Sequence, residues 1–178
     1  MGLDGVELVM GFEEAFGIVI PDALASAMIT PRHTIEYVAS SLTVRPASRC
    51  LTQQVFYRLR RAFRCVLVED VVFRPATAIR EVVGKRGWPG LWGKIRETAD
   101  DPNWPERIPW KRWPGEGPET LRELTLFIAM FSPPPDPVRG EPWTRERIEL
   151  MVRRVVWETI RVQGFKLDDG YVRDMGVD

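Results

Sequence analysis

The chain has 178 residues, 44% of them hydrophobic, with 25 Lys and Arg against 25 Asp and Glu and a single His. That length suits one large domain or two small ones with a buried core. No run reaches the roughly 18 apolar residues of a membrane-spanning helix, and no secretory signal opens the chain, so a cytoplasmic location is expected. The zero net charge conceals an asymmetry: residues 1–44 hold six acids and one base, and residues 45–140 carry all the compensating basic excess. An acidic and a basic lobe are consistent with attraction inside the molecule or with two surfaces for two partners.

The elements follow in order. Val6, Val9, Met10, Phe12, Glu13 and Phe16 lie at helical spacings, which predicts a helix with that stripe facing inward. Asp4 and Glu7 stand in its first turn, where the helix dipole favours anions, and Gly17 is a stop signal. Ile18-Val19-Ile20-Pro21 is an extended exit, and Asp22 is placed to cap a short helix running to Ile29. Thr30-Pro31 reads as an N-cap followed by proline at the first helical position, with Ile35, Val38 and Leu42 as the apolar face of the helix. Residues 52–68 form another helix, capped by Thr52, with Val55, Leu59, Phe63 and Val66 as a stripe. Asp100 to Pro118 is rich in Trp and Pro, including Trp104, Trp110 and Trp113. It is irregular, its tryptophans either pinning it to a core or forming a partner surface. Ser132 to Pro137 reads as a stiff linker. Thr144 then caps a helix to about Val162, with Ile148, Met151, Val152, Val155 and Thr159 at helical spacing.

Chemistry-bearing patterns are sparse. His33 has no Cys or acid cluster beside it, so no metal ligand set is assigned. Cys50 and Cys65 have neither metal nor redox spacing and read as buried or idle thiols. The pairs Glu13-Glu14 and Asp168-Asp169 are sequence neighbours, which point apart on a helix, so neither makes an acid/base couple. No phosphate loop, nucleophile elbow or Cys–His pairing is present, no catalytic residue is assigned, and no enzyme is expected. Arg58, Arg60, Arg61 and Arg64 are consistent with a solvated helix face. Alternatively, with Tyr57 to stack on bases, they read as a nucleic-acid surface.

The opening residues carry a more specific pattern. Leu3-Asp4-Gly5-Val6-Glu7-Leu8-Val9-Met10 and Glu13-Glu14-Ala15-Phe16-Gly17-Ile18-Val19-Ile20-Pro21-Asp22 resemble, without a gap, the second helix of acyl carrier proteins and related phosphopantetheine carrier domains. The family's modified serine falls on Gly2, which has no hydroxyl to esterify. The last residues, Tyr171-Val172-Arg173-Asp174-Met175-Gly176-Val177-Asp178, resemble the segment that in the family immediately precedes that serine, so Asp178 takes the place of the preceding Asp. The resemblance thus implies a circularly permuted order. The expected fold is all-α: an acyl-carrier-like four-helix bundle assembled from residues 1–44 with 141–178, plus a second, degenerate carrier-like helical lobe over 45–140. In that lobe Phe73 to Val82 and the Thr120, Leu121, Leu124, Phe127, Ile128 pattern echo the family more weakly, and Lys85 to Trp92 offers no serine.

What the resemblance implies for function is a docking surface of Leu3, Glu7, Met10, Glu13 and Glu14, facing basic patches of acyl-chain enzymes, and an acyl pocket of Val6, Phe12, Phe16, Ile20 and Met28. No cofactor is expected. The chain then reads as a non-covalent docking or regulatory module for fatty-acid or polyketide enzymes. Two alternatives stand beside it: a working carrier, modified on another serine or with serine originally at position 2, and a nucleic-acid-binding helical protein using the basic middle lobe. The bundle closes either within one chain or by exchange of the C-terminal helix between copies, which would give a homo-oligomer.

Overall fold

The computed structural model describes residues 2–67, 72–83, 88–109, 117–136 and 141–178, with only the backbone of Pro89. Among these residues nine helices occur: α1 (Leu3–Phe16), α2 (Asp22–Ala25), α3 (Pro31–Ser41), α4 (Leu51–Leu67), α5 (Ile79–Val83), α6 (Trp88–Ala99), α7 (Leu121–Ala129), α8 (Arg145–Ile160) and α9 (Tyr171–Met175). The fold of the described residues is all-helical and has no sheet, only the isolated bridges Val44–Trp143 and Ala78–Thr120. None of their helices is long and apolar enough to cross a membrane. The chain divides into two compact units, residues 1–48 with 134–178 and residues 49–133.

In the first unit, α1 packs on α8, and α8 packs on α3. The inward side of α1 is Gly5, Leu8, Phe12 and Phe16, so Phe12 and Phe16 of the expected stripe face inward while Val6 and Met10 do not. Val6 is 43% and Met10 61% exposed. The helix is apolar on more than one side, so periodicity alone does not choose its inward face. Close approach does: a Cβ on Gly11 would stand 2.8 Å from Val155 Cγ1 of α8, so glycine lets the helices lie this near. Gly17 ends α1 in the left-handed conformation, at φ 64°, and donates its N–H to Glu13 O at 2.8 Å. The next helix is shorter than expected, Asp22–Ala25, with Pro21 rather than Asp22 at its N-cap.

Thr30 caps α3 by accepting from His33 N at 3.3 Å, and Thr144 caps α8 by accepting from Arg147 N at 3.2 Å. Ile35 and Val38 of α3, and Ile148, Met151, Val152, Val155 and Val156 of α8, join Leu8, Phe12, Phe16 and Ile20 in one core. The C-terminal segment seals it with Phe165, Tyr171, Met175 and Val177. Backbone bonds stitch the two chain ends together: Arg32 N to Leu167 O at 2.9 Å, Tyr171 N to Ile29 O at 3.0 Å and Arg45 N to Trp143 O at 2.9 Å. In this chain α8 packs against α1 and α3 and joins their core.

In the second unit α4 packs on α6 and α7. Helix α4 begins at Leu51, so Thr52 lies in its first turn instead of capping it, and Leu59, Ala62, Phe63 and Leu67 form its buried side. Thr120 and Glu123 make a reciprocal box at the start of α7: Thr120 Oγ1 accepts from Glu123 N at 3.2 Å and Glu123 Oε2 accepts from Glu119 N at 2.8 Å. Trp104 is buried and stacks on Trp92, which stacks on Trp88, with ring centroids 5.8 and 5.9 Å apart. Trp92 Nε1 donates to Pro105 O at 3.1 Å, so this part of the Trp/Pro-rich passage is pinned to a core. Trp110, Trp113, Lys85, Arg86, Gly87 and Pro137 lie outside the described residues. Cys50 and Cys65 are both exposed rather than buried, and no disulfide joins them.

Candidate functional site

Three features of the first unit meet around the start of α1. The first is the junction of the chain ends. Gly2 is the N-cap of α1 and offers no side chain to cap it. A Cβ on Gly2 would overlap the main-chain carbonyl carbon and oxygen of Asp178 and stand 3.2 Å from its Cα. Residues 2 and 178 are therefore nearly as close as sequence neighbours.

The second feature is the outward face of α1. Leu3, Glu7, Met10 and Glu14 are all exposed and fall at i, i+4, i+7 and i+11, a single row along the helix. Leu3 is 72% exposed, a large apolar side chain left in water. No base lies on α1, and Arg32, the one base of residues 1–44, is held elsewhere. Its Nε and Nη2 donate to Asp168 Oδ1 and Oδ2 at 2.5 and 2.8 Å. That bidentate bond holds the Asp168 carboxyl below its usual range and raises the guanidinium's pKa. Glu13 behaves differently from the other expected docking residues: it is half-buried and its Oε1 accepts from Ile20 N at 2.7 Å, fixing the turn after α1.

The third is a cavity of about 130 Å³. Leu8, Phe12 and Ala25, with Thr34, Tyr171 and Val177, are its buried walls. Exposed Ser26, Ile29, Val172 and Asp178 lie around it, with Gly5, Val9 and Met28 completing the lining. Of the five residues expected to form an acyl pocket, Phe12 and Met28 line it. Phe16 and Ile20 are in the core without lining it, and Val6 turns to solvent. The walls carry one polar pair, Thr34 Oγ1 and Tyr171 OH, 2.9 Å apart. Burial pushes the Tyr171 phenol well above its usual range, with the bond to Thr34 opposing it in part. Sequence reasoning missed this pair because its members lie 137 positions apart; the one signal was a tyrosine at the head of the C-terminal motif.

The arginines of α4 do not act as a group of four. Arg58 pairs with Asp101, and the Arg60 Nε is buried with no hydrogen-bond partner among the described residues. Arg61 and Arg64 are exposed. Exposed His33 is joined by no cluster of potential metal ligands among the described residues. No protein-family model matches the chain, and no solved structure matches it.

Proposed function

We propose that residues 1–48 and 134–178 form an acyl-carrier-like four-helix bundle in circularly permuted order, serving as a non-covalent docking or regulatory module for acyl-chain enzymes. The observation that carries this reading is the meeting of Gly2 and Asp178. The two motifs that resemble consecutive parts of a carrier sit at opposite ends of the sequence, yet their adjoining residues touch in space. The reading is also supported by the exposed row of Leu3, Glu7, Met10 and Glu14, which combines apolar anchors with carboxylates suited to steering onto a basic patch. The cavity beneath it is apolar, as an acyl chain requires. Gly2 has no hydroxyl, so the module docks without carrying a phosphopantetheine arm.

The test is binding to a carrier-processing enzyme, such as a fatty-acid or polyketide acyltransferase, measured by calorimetry at low salt. Glu7→Lys with Glu14→Lys is expected to abolish binding and leave the helical circular dichroism unchanged. Unchanged affinity in the double variant would refute docking through α1.

A further inference from the structure

Helix α4 is the charge complement of α1. It carries four arginines and no acid; α1 carries four acids and no base. Each helix leaves a row exposed: Leu3, Glu7, Met10 and Glu14 on α1, and Gln54, Tyr57, Arg61 and Arg64 on α4. Glu7, Glu14, Arg61 and Arg64 make no ion pair or hydrogen bond among the described residues, so these charges are available to a partner.

The rows also match in length. With a rise of about 1.5 Å per residue, an antiparallel α1–α4 pair that sets Met10 opposite Tyr57 brings Glu7 level with Arg61, Leu3 with Arg64 and Glu14 with Gln54, each within about 2 Å along the axis. Met10 against the Tyr57 ring, 52% exposed, then forms an apolar centre with the Glu7–Arg61 ion pair on one side and the Glu14 carboxylate beside the Gln54 amide on the other.

We propose that α1 of one copy docks on α4 of a second copy of this chain, giving weak head-to-tail self-association. The proposal shares the α1 surface with the docking reading but needs only exposure, spacing and charge. A second copy fits α4 better than a nucleic acid does. Arg58 is already paired and Arg60 is partly buried, so two arginines remain for phosphates. Two neutralised phosphates give a salt slope of only about −1.4 on a single strand. The contact is heterologous, so it extends into rings or open chains instead of stopping at a symmetric dimer.

The experiment is sedimentation equilibrium of the full chain at low salt. Mass is expected to rise above the monomer between about 10 μM and about 1 mM, the range of a small, mostly charged contact, and to return to the monomer near 0.5 M salt, where the screening length is about 4 Å. Glu7→Gln/Glu14→Gln and Arg61→Gln/Arg64→Gln chains are each expected to stay monomeric alone. Mixed in equal amounts they are expected to form a single species of twice the mass, because one intact contact remains between them.

A wild-type chain that is monomeric throughout overturns the inference, as does association that survives either double variant. Binding of a single-stranded oligonucleotide at Arg61 and Arg64 by a chain that stays monomeric also overturns it. A monomeric chain that still binds an acyl-chain enzyme through Glu7 and Glu14 leaves the docking reading standing. Self-association without such binding does the reverse.

Discussion

The Gly2–Asp178 contact makes a specific prediction about adding one methyl group. A Cβ on Gly2 overlaps main-chain atoms of Asp178, so Gly2→Ala forces the C-terminal residue to move. Asp178 does not retreat alone. Val177 is 4% exposed, and its N–H donates to Tyr171 O at 3.0 Å. Moving the end of the chain therefore pulls on a buried side chain and on the hydrogen bond that closes α9. Overpacking of this kind costs about 1–3 kcal/mol. In a chain shortened by Asp178 the obstacle is gone, and the same substitution is expected to cost under about 0.5 kcal/mol. Hydrogen exchange read by mass spectrometry reports the first unit separately from the second. In the full chain, exchange of peptides covering α1 and α9 is expected to accelerate by about 5- to 150-fold at 1.4 kcal/mol per tenfold. Peptides of α4 and α7 should not change. Equal effects in the full and shortened chains, or no effect in either, would refute the proposed contact.

Three further outcomes follow from the cavity. Thr34→Val leaves the buried Tyr171 hydroxyl without its partner and is expected to destabilise the first unit by about 1–3 kcal/mol, measured by the same exchange experiment. Burial raises the Tyr171 phenol's pKa in the folded state, so its contribution is fully present below the unfolded value of about 10 and is lost as pH rises through the folded value. A phenol signal that ionises only on alkaline unfolding, and is absent in Tyr171→Phe, is the expected absorbance result. The cavity of about 130 Å³ is close to the ~150 Å³ apolar cavity known to take benzene. Benzene is therefore expected to shift the methyl resonances of Leu8, Val9 and Val177, and Ala25→Leu is expected to suppress the shifts by filling the space.

Much of the helix framework was legible locally. Thr30, Thr144 and Gly17 are cap or stop signals whose chemistry acts within a few residues, and each sits where its sequence context placed it. Which side of α1 turns inward was not legible, because Val6 and Met10 match the helical period as Leu8 and Phe12 do. The choice depends on α8 arriving against Gly11, a contact across more than 140 positions. The half-buried role of Glu13 was hidden for a similar reason: its bond to Ile20 N exists only once Gly17 has turned the chain. In the docking row, Leu3, Glu7, Met10 and Glu14 followed from the resemblance to carrier domains, and all four lie exposed on one row of α1. The cavity was readable only in part, because its Thr34, Tyr171 and Val177 walls come together through the joining of the chain ends. Arg58 looked like a free charge until α4 brought it to Asp101.

The central claim is that Asp178 and Gly2 reconstitute, out of order, the site where a carrier would be modified. The most direct measurement is the intact mass of a permuted chain running 49–178 and then 2–48, with Asp178 joined to the residue at position 2. It is made with Gly2→Ser and with glycine retained, each incubated with coenzyme A and a broad-specificity phosphopantetheinyl transferase. The account predicts a gain of one phosphopantetheine on the serine version and none on the glycine version. A folded, helical serine chain that stays unmodified would contradict it, as would modification of the glycine chain.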